Sequence, residues 1–261
     1  MKYFAGIDIG STTSKVVILD GHKNIVDFAI VRNSYDLSKS GNTVFENSLN
    51  RTGLSKNDIS YIISTGYGRR TIKLQNAAEP EVICHAKGTV HLIPTCRTII
   101  DIGGQDSKII ELDERRVKNF QMNDKCSAGT GRYLDALAKN VLGIELEQLG
   151  ELSLKSKDPI KLSSQCTIFA ESEIISFLSH SEPVENVIAG MHLSLARRVI
   201  QMGVTANILF NKDIVLSGGV AKNRGMVETI SKLLKQEIIT PDEPQITGAL
   251  GAALIAMERA E

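Results

Sequence analysis

Residues 7–20 of the chain read IDIGSTTSKVVILD, and the same motif returns at residues 100–113 as IDIGGQDSKIIELD. Eight of the 14 positions are identical at a constant offset of 93 residues. Each copy is an apolar run that ends in Asp-x-Gly, followed by a turn and a second apolar run. A third strand pattern follows each copy, at residues 24–31 and 116–122. The repeat therefore predicts two similar structural units, each beginning with three strands joined by tight turns.

The rest of each half alternates strand and helix patterns. In the first half, the strand pattern YIISTG at residues 61–66 precedes a helix pattern at residues 80–93, and the second half has the strand pattern DIVLSGG at residues 213–219. Helices of the second half are predicted near residues 130–142, 167–179, 183–202, 222–235 and 246–259. This order predicts an α/β fold of mixed sheets flanked by helices. We expect two lobes, residues 1–95 and 96–261, with a ligand cleft between them.

The composition of the chain excludes several classes of function. Lysine plus arginine equals aspartate plus glutamate at 30 each, so no net field favours nucleic acid or an anionic membrane. No apolar run reaches the roughly 20 residues that span a bilayer. The N-terminus, MKYFAGIDIG, has a strand pattern and lacks the apolar core and cleavage site of a signal peptide. We therefore expect a cytoplasmic protein without nucleic-acid or membrane partners.

Both repeated turns are candidates for phosphate binding. Their backbone amides and hydroxyl groups suit phosphate oxygens, and glycine lets the backbone approach a ligand closely. The residues predicted to contact phosphate are Gly10, Ser11, Thr12, Thr13, Gly103 and Gly104. Asp8 and Asp101, which precede the turns, are predicted to face a phosphate-bound Mg²⁺ through water. Lys15 and Lys108 follow the turns on the second strands, and we expect solvated side chains there.

Two further glycine-rich segments open helices. The loop LSGGVAKNR at residues 216–224 predicts that Gly218, Gly219 and Asn223 lie near the base and ribose of a nucleotide. In NDKCSAGTGRYL, Gly129 and Gly131 stand at a helix start, which is typical of an anion site. Gln105 in the second turn is a candidate for orienting an attacking water, as glutamines do in other NTPases. The alternative for Gln105 is a turn side chain with only local hydrogen bonds.

The cysteines allow several interpretations. Cys84, Cys96, Cys126 and Cys166 include no C-x-x-C pair, which argues against a zinc site within the chain. Cys126 and Cys166 each precede a predicted helix, where a thiolate is favoured. They are buried packing residues, a nucleophile without an evident histidine partner, or metal ligands. A [4Fe–4S] cluster needs four thiolates, and two cysteines per chain supply four in a twofold-symmetric dimer.

The nucleotide motifs resemble a known superfamily. The set GIDIGSTTSK, DIGGQDSK, LSGGVAKNR and TGALGAALIA is similar to the actin, hexokinase and heat-shock-chaperone ATPases. The resemblance implies an actin-like ATPase fold of two duplicated ribonuclease-H-like lobes that bind ATP or ADP with Mg²⁺. It also implies two helices that cross at the hinge with small residues in contact, from CHAKGTVHL and TGALGAALIA. The C-terminal helix is then expected to cross back to the first lobe.

A narrower resemblance rests on the cysteine segments. NDKCSAGTGRYLD, CTIFAESE, STGYGR and CHAKG resemble the activator (archerase) family of 2-hydroxyacyl-CoA dehydratases. Benzoyl-CoA reductase ATPase subunits and the ATPase reductases of double-cubane-cluster proteins are similar. The resemblance implies a homodimer with one bridging [4Fe–4S] cluster held by Cys126 and Cys166. It implies ATP-driven transfer of one low-potential electron from ferredoxin or flavodoxin to an iron–sulfur partner enzyme. Cys84 and Cys96 match no such ligand and are interpreted as packing residues.

Two other functions remain open at the level of sequence. One is a sugar or small-molecule kinase of the same superfamily, without a cluster. The other is a non-redox binding or sensor module with ATPase activity, in which the cysteines only pack. Arg69 and Arg70, which follow STGYG, either meet an acidic partner or are solvated. Iron content separates the electron-transfer function from both alternatives.

Overall fold

The computed structural model describes residues 2–163 and 166–260. It contains two compact units. The first comprises the chain up to Cys96, the segment Leu112–Lys118, and the chain from Pro241 onward. The second comprises Arg97–Glu111 and Asn119–Thr240. Among the described residues, no helix is long and apolar enough to cross a membrane.

A five-stranded mixed sheet forms the first unit. Its strands in chain order are β1 (Tyr3–Ile9), β2 (Thr13–Asp20), β3 (Ile25–Arg32), β4 (Ile59–Thr65) and β5 (Ala77–Ala78). The spatial order is β3-β2-β1-β4-β5, with β1 at the centre. Strand β1 pairs antiparallel with β2 and parallel with β4. Apolar side chains of the central strands are buried, whereas the edge strand β3 is largely exposed.

The second sheet repeats this topology. Its strands are β6 (Thr98–Ile102), β7 (Ser107–Asp113), β8 (Arg116–Asn123), β9 (Ile214–Ser217) and β10 (Ile238–Ile239). The spatial order is β10-β9-β6-β7-β8, so that β6 takes the central place that β1 has in the first sheet. Strand β6 pairs antiparallel with β7 and parallel with β9. The predicted duplication and mixed sheets are confirmed.

Eight helices flank the sheets in the described part of the chain. They are α1 (Leu37–Thr52), α2 (Glu81–Leu92), α3 (Gly131–Leu137), α4 (Gln148–Ser153), α5 (Thr167–Ser179), α6 (Val184–Thr205), α7 (Arg224–Leu234) and α8 (Thr247–Ala260). A π-helical turn, Ala138–Leu142, continues α3. The predicted helices are confirmed within a few residues. Helices α1 and α4 were not predicted.

Helix α1 had recognisable signals at both ends. The Asp36 side chain caps its N-terminus by accepting a hydrogen bond from Lys39 N at 3.0 Å. Gly53 ends it in the left-handed conformation with φ of 69°. Val44, Phe45 and Leu49 are buried on one face. Many polar residues on the other face dilute this pattern, which is why it escaped notice.

Helix α8 packs against both β1 and α2, and glycines make the approach possible. A Cβ atom on Gly6 of β1 would overlap the backbone of Ala249 and Ala253. A Cβ on Gly88 of α2 would overlap Thr247 O, and one on Gly251 of α8 would overlap Cys84 O. In each case the obstacle is backbone, which a rotamer change does not move. The helix is therefore held by backbone-to-backbone contact that only glycine permits.

We expect Gly251→Ala to lower the free energy of unfolding by about 1–3 kcal/mol or more, because the new methyl group overpacks α8 against α2. Urea unfolding measures this change. Gly21→Ala is the matched control, since the nearest atom to its added Cβ is Lys2 O at 3.9 Å. Equal unfolding free energies for the two variants would contradict the packing argument.

Candidate functional site

The first glycine turn is held by an asparagine that sequence reasoning missed. Gly10 N donates to Thr13 O at 3.1 Å, and Asn33 N donates to Thr12 O at 2.9 Å. The Asn33 side chain donates to Gly10 O at 2.7 Å and accepts from Ser14 Oγ at 2.7 Å. Asn33 directly follows β3. The sequence feature that could have identified it is an amide side chain at the end of the strand that lies beside the turn. The turn is thereby fixed in shape.

Three residues of this turn that are predicted to contact phosphate reach the surface of the first unit. Ser11 and Thr13 are half-buried and Thr12 is exposed, so their hydroxyl groups lie at the surface of the first unit. The turn therefore combines a backbone of fixed shape with accessible donors. Whether these residues bind phosphate stays a prediction.

Asp8 lies two residues before Gly10 and is 4% exposed. Its Oδ2 forms an ion pair with Lys15 Nζ at 3.2 Å. A Cβ on Gly248 would lie 3.3 Å from Asp8 Oδ2 and 3.2 Å from His85 Nε2. Glycine at position 248 therefore keeps the space beside the carboxylate open. His85 is itself oriented by its Nδ1, which lies 3.0 Å from Thr247 Oγ1.

The second turn repeats the buried ion pair. Asp101 Oδ2 lies 3.4 Å from Lys108 Nζ, and Asp101 Oδ1 accepts from Ser217 Oγ at 2.8 Å. Lys108 also pairs with Asp106, and only 2% of its side chain is exposed. Gly103 N donates to Asp106 O at 2.9 Å, which closes the turn. Asp101 and Lys108 stand directly opposite each other on β6 and β7, as Asp8 and Lys15 do on β1 and β2.

The prediction that Lys15 and Lys108 are solvated is therefore wrong. Only 13% of the Lys15 side chain and 2% of the Lys108 side chain are exposed. The antiparallel register places each lysine against a buried carboxylate, and burying either charge without its partner is costly. The repeat thus includes the ion pair as well as the turn.

Three predicted nucleotide elements lie together in the second unit. Gly131 N donates to Gly103 O and Arg132 N donates to Gly104 O, both at 2.9 Å. The start of α3 is thus hydrogen-bonded to the second turn. A Cβ on Gly131 would lie 3.1 Å from Val220 Cγ2 of the third loop. In that loop Gly218 has a φ of 83° and packs on the backbone of Ile102.

The remaining predicted residues lie at the margins of this group. Gln105 is exposed at the tip of the second turn, where both interpretations of its side chain stay open. Gly219 begins a short 3₁₀ turn that precedes α7. Gly129 is buried, and a Cβ on it would lie 2.7 Å from Asn123 Nδ2. Their contact with a nucleotide stays a prediction.

Asn223 holds the start of α7 and contacts a histidine that the sequence analysis missed. Its Oδ1 accepts from Met226 N at 3.1 Å, and its Nδ2 lies 3.2 Å from His192 Nε2. His192 is fully buried on α6. Burial lowers the pKa of His192 to about 3, so the ring is neutral and accepts from the amide. The position of Asn223 near a base or ribose stays a prediction.

The four cysteines separate into two classes. Cys84 and Cys96 are buried, as predicted for packing residues, and burial raises the pKa of Cys84 to about 12. Cys126 and Cys166 are exposed. Cys126 is the N-cap of a 3₁₀ turn at Ser127–Gly129, and Cys166 is the N-cap of α5. The exposed pair is therefore accessible to a ligand or partner.

The two exposed cysteines are neighbours in space. Ser127 Oγ and Thr167 Oγ1, one residue after each cysteine, lie 3.2 Å apart. The Cα atoms of Cys126 and Cys166 are consequently within roughly 16 Å of each other. Asn123 fixes the first loop, because its side chain accepts from Cys126 N at 3.1 Å and donates to Cys126 O at 2.8 Å. Within the described residues, no group of three or more His, Cys, Asp or Glu side chains forms a metal site.

Comparison with known proteins identifies the class and then the family. The fold of two duplicated mixed sheets is that of actin-like ATPases, and a glucokinase of the ROK family from Streptomyces griseus shares it at a TM-score of 0.60 and 13% identity. Residues 5–256 match the BadF/BadG/BcrA/BcrD ATPase family. The chain belongs to this family.

Three relatives align over nearly the whole chain. The activator of lactoyl-CoA dehydratase from Anaerotignum propionicum is 46% identical over 99% of both proteins. The structure of the activator of the 2-hydroxyisocaproyl-CoA dehydratase from Clostridium difficile with bound ADPNP is 44% identical, with a TM-score of 0.93 over 99% of this chain and 95% of that one. Component A of the (R)-2-hydroxyglutaryl-CoA dehydratase from Acidaminococcus fermentans is 41% identical. The comparison of its structure with this one gives a TM-score of 0.95 and covers 100% of this chain and 99% of component A.

We expect Lys108→Met to lower the free energy of unfolding by about 3–5 kcal/mol, because it leaves Asp101 buried without its cation. Lys15→Met is the matched variant in the first repeat. Lys15→Met should lower the free energy of unfolding by less, because 13% of the Lys15 side chain is exposed, whereas only 2% of the Lys108 side chain is. Urea unfolding at neutral pH measures the free energy of unfolding of both variants. An equal loss in the two, or a larger loss with Lys15→Met, would contradict the burial argument.

We expect His192 to make the protein less stable as the pH falls. Its folded pKa of about 3 lies below the ordinary 6.5, so the unfolded state alone takes up a proton between these values. The stability that the neutral His192 ring contributes is fully present above pH 6.5. It declines toward pH 3 by up to about 1.4 kcal/mol per pH unit. Urea unfolding at pH 7, 6 and 5 should give a shallower decline for His192→Gln than for the unaltered chain. Parallel declines would show that His192 does not titrate in this way.

Proposed function

We propose that this chain is an ATP-hydrolysing activator that delivers one low-potential electron, received from ferredoxin or flavodoxin, to an iron–sulfur partner enzyme of the 2-hydroxyacyl-CoA dehydratase type. The observation that carries the proposal is the hydrogen-bonded link between the second glycine turn and the helix start that follows Cys126. The names of the relatives favour a dehydratase over a double-cubane-cluster protein as the partner.

The two glycine turns would bind the phosphates of ATP. In the first, accessible hydroxyl groups accompany a backbone fixed by Asn33. Asp8 and Asp101 would face Mg²⁺ through water, and carboxylate oxygens are donors that suit this ion. The lysine opposite each aspartate pairs with the carboxylate and fixes it in place. Gln105, exposed at the turn tip, would orient the attacking water.

Cys126 and Cys166 would hold one edge of a [4Fe–4S] cluster. The residues fit this group, because both cysteines are exposed and the residues that follow them, Ser127 and Thr167, are in contact. Two cysteines per chain require two more from a second copy, so the proposal includes a homodimer. When bound, the cluster would supply a carrier for one electron.

The second turn and Cys126 are joined by a short path inside one unit. Gly103 O and Gly104 O accept from the first two amides of α3, and Cys126 lies only five residues before Gly131. Asn123 ties the intervening loop to the end of β8. A phosphate that shifts the turn therefore acts on α3 and on the loop that carries Cys126. This path is how nucleotide state would reach the electron-transfer site.

Anaerobic purification tests the proposal. We expect about four irons per two chains, and Cys126→Ser or Cys166→Ser should abolish iron binding. Cys96→Ser is the matched control, because Cys96 is buried and unrelated to the loops. ATP hydrolysis together with electron delivery to a dehydratase completes the test. A colourless, iron-free protein after anaerobic reconstitution would overturn the proposal, and phosphate transfer from ATP to a sugar would replace it with the kinase alternative.

A further inference from the structure

The loop that follows β4 lies against the first glycine turn of the first unit. A Cβ atom on Gly66 would overlap Asp8 Oδ1 and Ile9 O, so the loop touches the buried carboxylate. Gly68 N donates to Ile9 O at 2.8 Å. Because Ile9 directly precedes Gly10, the loop is bonded to the strand end that carries both the carboxylate and the turn.

Three hydrogen bonds hold Arg69 within this loop. Its backbone N and its side-chain Nη1 both donate to Gly66 O, at 3.2 Å and 3.1 Å. Its carbonyl oxygen accepts from the buried Ser64 Oγ at 2.6 Å. The guanidinium is thereby folded back over the glycine that touches Asp8. Its Nη1 atom consequently lies within roughly 10 Å of Asp8 Oδ1.

The guanidinium of Arg69 keeps most of its capacity to donate hydrogen bonds. It has five N–H groups in a planar fork, and the Gly66 carbonyl takes one of them. In the part of the chain that the structure describes, no carboxylate forms an ion pair with Arg69. The nearby Asp8 pairs with Lys15 instead. A half-buried cation with several donors suits an anion with several acceptor oxygens, such as a phosphate.

The position of Arg69 beside Asp8 selects one phosphate of the nucleotide. Under the function proposed above, Asp8 faces Mg²⁺ through water. In enzymes that hydrolyse nucleoside triphosphates, this ion bridges oxygens of the β- and γ-phosphates. A cation held on the Asp8 side of the turn is therefore near the terminal phosphate, which ADP lacks.

We propose that Arg69 donates to the γ-phosphate of ATP and thereby makes the chain bind ATP more tightly than ADP. This inference rests on the function proposed above, to which it adds a residue that distinguishes the nucleotide before hydrolysis from the product after it. A side chain that only closes the loop over Gly66 would act differently. Its loss would weaken the binding of both nucleotides equally, or of neither.

Calorimetric titration of the anaerobically purified full chain with ADP or ADPNP, each in the presence of Mg²⁺, tests this role. Arg69→Gln should weaken ADPNP binding at least about tenfold, because a charged hydrogen bond is lost, and ADP binding by less than about twofold. Arg69→Lys keeps the cation without the planar fork and should weaken ADPNP binding less than Arg69→Gln does. Arg70→Gln is the matched control, since Arg70 is exposed at the next position and its replacement should leave both affinities unchanged.

The same titrations also test the function on which this role rests. An unaltered chain that binds neither nucleotide would overturn both proposals. Unchanged ADPNP affinity in Arg69→Gln, equal losses for ADP and ADPNP, or an equal loss with Arg70→Gln would overturn the role of Arg69 alone.

A measurement on the unaltered chain covers the case in which Arg69→Gln fails to fold. The ¹⁵Nε signal of Arg69, assigned with Arg69→Lys, should shift when ADPNP is added and stay in place when ADP is added. An identical response to the two nucleotides would overturn the role of Arg69.

Discussion

A buried carboxylate at the end of the central strand is the constraint on which each unit depends. Asp8 and Asp101 are 4% and 2% exposed, and an ion in such surroundings requires a partner. The lysine that supplies it stands directly opposite on the neighbouring antiparallel strand. A one-residue slip of that strand would turn the lysine to the other face of the sheet. The ion pair therefore selects the register, and the register in turn fixes the glycine turn between the two strands.

This constraint explains which features were predictable from sequence. The repeat, the strand order within each motif and most helices follow from local patterns, and the structure confirms them. The burial of Lys15 and Lys108 was not predicted, because a lysine on a strand is recognisable as buried only once its cross-strand partner is known. Local periodicity does not contain that partner. Helix α1 was overlooked for a different reason, since its polar face masks an apolar face that its capping residues mark clearly.

The residues of the candidate site also fall into two groups, those that were recognised in the sequence and those that were not. Its glycine turns were predicted from residue type and spacing, and Cys126 and Cys166 were singled out by the family resemblance. Asn33 and His192 were not, because their roles arise from contacts with Gly10, 23 residues away, and Asn223, 31 residues away. Long-range partners of this kind are set by packing of whole elements. The glycine turns and the cysteines therefore stood out in the sequence, whereas the side chains that hold these segments in position did not.

The asparagine at the end of the third strand has different partners in the two repeats. In the first, Asn33 satisfies Ser14 and locks the turn to the end of its own sheet. In the second, Asn123 instead holds the Cys126 loop, and the turn is bonded to the start of α3. The first turn is thus held in one conformation by the Asn33 side chain. The second is connected through backbone hydrogen bonds to the start of α3, which follows the exposed Cys126 by five residues. The two copies of one motif therefore end in different hydrogen-bond networks, one closed by Asn33 within the first unit and one that continues into α3 in the second.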